Sequence, residues 1–231
     1  MQRATQIFDF DQRAGDSVLV ERVWRTRSAP AESFISVAAT HWEMVVTRHD
    51  DGPTRLTVRG PETKATVSPI PQNAEFFGIE FRLGTFMPNL PAALLVDNAL
   101  DLPPVGRSSF WLNSSAWDFP DYDNADVFVD RLVRKGLLVR DRVVTAALRG
   151  ATSEPSLRSV QRRVQRATGL TRTAIKQIER ASKAAKLLEG GANILDTSEL
   201  LGYADQAHLS RSLKRFLGQT PRQILGDRRW A

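Results

Sequence analysis

The feature that most limits how this chain can fold is an internal repeat near its C-terminal end. Laying residues 156–175 over residues 205–224, an offset of 49 residues, makes five positions coincide. These are Arg162/Arg211, Arg166/Arg215, Gly169/Gly218, Thr171/Thr220 and Ile175/Ile224. The apolar positions fall in register as well: Val160/Leu209, Val164/Leu213 and Ala167/Phe216. Two copies of one basic, helix-patterned unit are expected to be two copies of one binding device.

In the second copy, Leu209, Leu213, Phe216 and Leu217 follow the i, i+4, i+7, i+8 spacing of a single apolar helix stripe. Asp205 stands where a side-chain oxygen can cap the helix start, and Gly218 where a left-handed residue ends it. Ala207, Arg211 and Lys214 then point outward, with His208, Ser210 and Arg215 on the flanks. In the first copy Ser156 takes the cap position and Gly169 the stop. Arg158, Arg162 and Gln165 face outward there, flanked by Gln161 and Arg166. A Gly-x-Thr element follows each copy and opens a further helix, with Thr171 or Thr220 at the cap and Pro221 at the first position of the last helix.

A shorter helix is expected before each basic one: about 197–201 before the second and about 141–148 before the first. Gly202-Tyr203-Ala204 makes a tight turn in the second unit, whereas residues 149–155 make a longer one in the first. A long helix at about 172–189 joins the two units. The arrangement reads as two helix-turn-helix units, about 141–169 and about 197–218.

The run from Leu201 to Ile224 (Leu-Gly-Tyr-Ala-Asp-Gln-Ala-His-Leu-Ser-Arg-Ser-Leu-Lys-Arg-Phe-Leu-Gly-Gln-Thr-Pro-Arg-Gln-Ile) resembles the second helix-turn-helix of AraC/XylS-type transcription regulators. Ser156-x-Arg158-x-Val160-Gln161-Arg162-Arg163-Val164 and the Thr168-Gly169 stop resemble the first. The resemblance implies sequence-specific binding of double-stranded DNA, each basic helix entering a major groove. Contacts are expected from Arg158, Gln161, Arg162, Gln206, Ala207, His208 and Arg211. Arg166, Lys214 and Arg215 suit phosphates. Arginine can bond two acceptors on guanine and glutamine suits adenine, which makes these side chains fit the task. The plainer alternatives are a solvated helix face for the arginines and a capping or packing role for Gln206 and His208. Finding arginine at the same outward place in both copies argues against the first.

Charge divides the chain in the same way. Residues 1–140 carry 15 basic and 18 acidic side chains, a net of −3, while residues 141–231 carry 17 and 8, a net of +9. That asymmetry fits a nucleic-acid module joined to a neutral or acidic one. The basic faces lack a broad Trp/Phe/Leu surface for insertion, so membrane binding is not expected. With no cysteine in the chain, disulfides, zinc-thiolate sites and thiol chemistry are excluded. No signal peptide or long apolar run is evident, so a soluble, cytoplasmic, bacterial protein is expected.

The N-terminal region alternates short β-branched and aromatic segments (about 17–24, 33–37, 42–49, 55–59, 65–68 and 75–83) with turn signals such as Asp50-Asp51-Gly52-Pro53. A β-sandwich or small barrel is expected, similar to the cupin-like sensor halves of this regulator class. The whole would be an α+β two-domain protein. A cupin-like sensor or dimerisation domain at 1–122 would precede an all-α DNA-binding domain with two helix-turn-helix motifs at 123–231. Residues 91–98 suggest a short helix, 101–113 a loop, and the segment from Asn124 a helix that Asp123 could cap.

Trp24, Trp42, Arg48, Phe81 and Arg82 are candidates for a small-molecule pocket, though each aromatic equally suits the core. His41 and Glu43 could share a strand face, but the further histidine that a metal-binding cupin needs is missing. No metal, cofactor or catalytic residue is therefore assigned. A cupin-type enzyme with an appended nucleic-acid-binding arm is the alternative. Promoter DNA, a small-molecule effector, RNA polymerase and a second copy of the chain complete the expected partners.

Overall fold

The computed structural model describes residues 2–3, 7–28, 31–148 and 156–226. Its N-terminal half is built on an open six-stranded antiparallel sheet. The strands are β1 (Asp11–Arg13), β2 (Val20–Arg27), β4 (Glu43–His49), β5 (Arg55–Arg59), β7 (Ala74–Phe81) and β9 (Ala99–Leu102), in the order β1-β2-β7-β4-β5-β9. β7 lies in the middle and is buried along most of its length, as its run Phe77-Gly-Ile-Glu-Phe81 requires of a strand covered on both faces. A short pair, β3 (Ser33–Ser36) with β6 (Thr66–Pro69), and a three-stranded sheet of β10 (Pro104–Val105), β11 (Ser109–Leu112) and β12 (Ser115–Asp118) complete this half. Among the described residues they form open sheets, with no closed barrel.

Residues 101–113, expected as a loop, hold strands instead. β9 pairs along β5, and Thr57 Oγ1 donates to Asp101 Oδ1 at 2.5 Å. β11 hydrogen-bonds with both β10 and β12. The pairing with β5 joins residues some 45 positions apart and is invisible to local pattern. Pro103 and Pro104 mislead because proline is tolerated in an edge strand. The expected helix at 91–98 is a single 3-10 turn, Ala92–Leu94.

Helix α1 (Ala125–Arg134) starts at Asn124 rather than Asp123, and Asn124 makes no side-chain cap bond; its Oδ1 instead accepts the amide of Asp121. Its buried face, Ala125, Phe128, Val129 and Leu132, packs with Phe110, Trp117 and the inner sheet residues Val23, Ile79 and Phe81 in one core. Arg13 holds the same helix from outside, donating to Asp126 Oδ2 at 2.7 Å.

Past α1, β13 (Val139–Arg140) pairs with β8 (Thr85–Phe86), and the helical region begins. It contains α2 (Arg142–Leu148), α3 (Leu157–Thr168), α4 (Arg172–Glu189), α5 (Ile194–Leu200), α6 (Gln206–Leu217) and α7 (Pro221–Gly226). A second core lies among these helices. Val144, Val160, Val164, Ile175, Ile178, Leu188, Leu209, Leu213 and Ile224 are all buried within it, and Ala38 from the N-terminal half joins them. Every position assigned to the apolar stripes of the two repeat copies is inside, whereas Val127, given helical spacing with Phe128 and Leu132, is exposed on α1. The turn between α2 and α3, residues 149–155, lies outside the described residues.

Candidate nucleic-acid interface

Helix α6 is fixed at both ends by its own sequence. Asp205 is extended, and its carboxylate accepts the amide of His208 at 2.5 Å. Gly218 ends the helix at φ 71°, and Lys214 Nζ donates to its carbonyl at 2.9 Å. Helix α3 ends alike at Gly169, φ 73°, but Ser156 at its start makes no side-chain cap bond. Thr171 caps α4 by accepting from the amide of Ala174. Thr220 and Gln223 form a reciprocal capping box on α7, Thr220 N–H to Gln223 Oε1 and Gln223 N–H to Thr220 Oγ1. The start of α5 departs from expectation. The helix begins at Ile194, one turn before the expected 197, because Asn193 supplies the cap, accepting from the Asp196 amide at 2.8 Å.

The turn between α5 and α6 is held from several sides. Gly202 has φ 67°, and Tyr203 is buried with its hydroxyl 3.3 Å from Ser212 Oγ. The guanidinium of Arg180, on α4, lies 4.3 Å from the centre of the Tyr203 ring. His208 meets the same ring edge-on, and its Nδ1 accepts from the Ala204 amide at 3.4 Å. Sequence reasoning missed Arg180. An aromatic residue, Tyr203, in a tight turn that follows a basic linker helix was the available signal.

These contacts leave an exposed cationic face on each helix. Arg158, Gln161, Arg162 and Arg166 on α3 are exposed, as are Gln206, Ala207, Arg211, Lys214 and Arg215 on α6. Among the described residues no carboxylate pairs with Arg158, Arg162, Arg166 or Arg211. Arg163 differs: it turns back to Asp141, Nε to Oδ2 at 3.3 Å, and ties α3 to the start of α2. His208 is half-buried in the turn. Lys214 and Arg215 are partly occupied at the far end of α6, Arg215 with its guanidinium 5.0 Å from the Phe216 ring centre.

The candidate pocket residues separate. Trp42 and Phe81 stack on each other at 4.2 Å in the sheet core, with Trp42 Nε1 donating to the Thr85 carbonyl. Arg82 is held by the Val20 carbonyl and Glu21. Arg48 donates to the Pro120 carbonyl and lines an open cleft of about 820 Å³. Trp24 alone of the five lines a cavity of about 540 Å³ between the sheet and helices α4 and α6. Phe8, Phe10, Phe34 and Phe76 form its apolar wall. Glu43 sits at its polar end, bonded by Trp24 Nε1 at 3.2 Å and Arg59 at 3.4 Å. His41 lies at the same end, 3.4 Å from Glu80. Among the described residues no helix is long and apolar enough to cross a membrane, and no three His, Cys, Asp or Glu side chains gather as metal ligands.

Residues 154–226 match the family model described as "Helix-turn-helix domain". Two solved structures of ToxT from Vibrio cholerae resemble the whole chain. One has a TM-score of 0.42 at 10% identity and covers 94% of this chain and 98% of that one. The other has a TM-score of 0.40 at 10% identity and covers 94% and 97%. No curated protein sequence matches. With two glycine-stopped basic helices on one linker helix and a family match over the same residues, residues 154–226 of this chain are a helix-turn-helix domain.

Proposed function

We propose that the protein is a sequence-specific DNA-binding transcription regulator whose helices α3 and α6 enter successive major grooves. The observation that carries this reading is the pair of exposed cationic faces in equivalent register, whose Arg158, Arg162, Arg166 and Arg211 have no carboxylate partner among the described residues. Unneutralised guanidinium groups on the outer face of a groove-sized helix suit guanine edges and phosphates. The base-reading set is Arg158, Gln161 and Arg162 on α3 and Gln206, Ala207 and Arg211 on α6. His208 belongs with the turn it braces, and Arg166, Lys214 and Arg215 with phosphates. The first core's buried residues run to Leu138 and the helical ones of the second begin at Val144, which supports a boundary of the DNA-binding unit near residue 140, where the charge balance also turns, rather than 122.

The test is enrichment of binding sites from a random-sequence DNA pool by the full chain, followed by gel shifts at several salt concentrations. Arg211→Ala is expected to weaken the enriched site by about 1–3 kcal/mol and relax selection at one base position. Unchanged affinity and unchanged selection would remove Arg211 from the reading set. The sheet region is the effector-binding half in this reading. An apolar cavity with a few converging polar groups is the usual form of a small-molecule site, and a ligand there would touch both halves. A compound library that never shifts the melting temperature of the full chain would argue against that role.

A further inference from the structure

We propose that the sheet region is the jig that sets the distance and angle between the two reading helices, with Ile35, Val96 and Asp97 as positioning residues. This rests on the reading of α3 and α6 as DNA-reading helices. The last four carbonyls of a helix lack partners within it. In α6 two of them are bonded by amides of the N-terminal half. Ala38 N–H donates to the Phe216 carbonyl at 2.7 Å and Ala65 N–H to the Arg215 carbonyl at 2.8 Å. The stop residue Gly218 lies against Ile35 and Ala65, where a methyl group would come within 2.9 Å of Ile35 Cγ2.

The stop residue of α3 is held likewise. A methyl on Gly169 would lie 2.5 Å from Val96 Cγ2 and 2.7 Å from the Ala92 carbonyl oxygen. α3 packs more extensively on the 3-10 turn that carries Ala92 than on the linker helix α4. The linker helix alone therefore does not define where α3 stands.

The two holding points belong to one unit. Asp97 accepts from the Thr63 amide and hydroxyl, both at 2.6 Å, and its own amide donates to Pro61 O at 2.9 Å. Gly60 N–H donates to Asn98 O at 3.1 Å. Residues 60–65, which reach α6, are thereby tied to residues 92–98, which reach α3. Both helices are gripped at their C-terminal ends, while the N-terminal halves that would meet base edges stay exposed. The grip positions the readers without covering them. The cavity wall from Ile35 to Val37 and Ala39 runs beside the same holding point, which gives a ligand a direct hold on the jig.

The test uses the enriched two-half-site DNA and a series with one base pair inserted between half-sites. Each insertion moves the second half-site by about 3.4 Å and turns it by about 35°. Wild-type affinity is expected to fall at least about tenfold on one insertion, the equivalent of one good base contact. Asp97→Gly keeps the positive φ of 54° without strain but removes both side-chain bonds of the bridge, leaving only its two backbone bonds. With Asp97→Gly, and separately with Ile35→Ala/Val96→Ala, that penalty should shrink to less than about threefold, while affinity for a lone half-site stays within about twofold. Asp97→Asn keeps an acceptor for Thr63 and should restore the penalty. An undiminished penalty in both variants would overturn the proposal. Hydrogen exchange on the wild-type chain decides it independently of either variant folding: the Ala38 and Ala65 amides should stay protected with DNA bound, and their release would overturn it. A wild-type chain that enriches no DNA sequence would remove the reading on which the jig rests.

Discussion

Three glycines share one backbone conformation but differ in what surrounds them, and this turns the docking of the two halves into a measurable ranking. Gly202, Gly218 and Gly169 have φ of 67°, 71° and 73°. Placing alanine at each should cost about 1–2 kcal/mol for the left-handed conformation alone. At Gly202 nothing lies within 4 Å of the new methyl, so that is the whole effect. At Gly218 the methyl meets Ile35 Cγ2 at 2.9 Å, a side-chain atom that can shift by a few tenths of an ångström more easily than backbone can. At Gly169 it meets the Ala92 carbonyl at 2.7 Å and its carbon at 3.0 Å, backbone that cannot move without shifting the 3-10 turn. Overpacking adds about 1–3 kcal/mol, and Gly169→Ala should take most of it. At about 2–4 °C per kcal/mol for a chain of this size, thermal unfolding should rank Gly202→Ala mildest, Gly218→Ala intermediate and Gly169→Ala most severe. Equal losses at all three would show that the N-terminal half does not press on the helix ends in solution, and the argument from docking would fail.

Asp205→Ala should cost about 1 kcal/mol in urea unfolding, because the carboxylate caps α6, whereas Ser156→Ala should cost much less, because that hydroxyl makes no cap bond. The affinity of the wild-type chain for its enriched site should fall steeply with salt, and Arg166→Ala should flatten that slope by about one unit without altering the selected sequence. Asp126 offers a pH test. Burial alone would raise its pKa, but the hydrogen bond from Arg13 and the amides of Ser17 and Asp16 outweigh it, and the carboxyl titrates below its ordinary value. A folded pKa below the unfolded one means stability that is present above the unfolded value and lost as pH falls through the folded one. Asp126→Asn should therefore be less stable than wild type at neutral pH by about 1–2 kcal/mol, with the gap closing below about pH 4; a gap that persists unchanged at low pH would contradict the assignment.

The helical half was readable because its signals are local. Asp205, Thr171 and Thr220 satisfy orphan amides a few residues on, Gly169 and Gly218 take up a conformation other residues resist, and Val160, Val164, Leu209 and Leu213 mark one face by spacing. The earlier start of α5 is local as well: Asn193 bonds to Asp196 three residues on and holds the helix start. The sheet half was readable only as a set of strand segments. Which strands pair, and that residues 99–112 join them, depends on partners tens of residues away. Trp24, Trp42 and Phe81 look alike as aromatic residues in strands. Register puts two of them in a core stack and one on a cavity wall, where Trp24 lies across Gly78 of β7.

Composition and order of residues by themselves determined that this chain carries two basic helices in equivalent register, each stopped by glycine and faced outward in arginine, since helix periodicity and helix stops act over distances of a single turn. Tertiary structure decided what those helices lean on. The unpaired carbonyls of Arg215 and Phe216 find donors at Ala65 and Ala38, and Gly169 finds a seat at Ala92 and Val96, none of them near in sequence. Those meetings require the chain to close loops of tens to well over a hundred residues, and what drives that closure is the summed burial of both cores rather than any local preference.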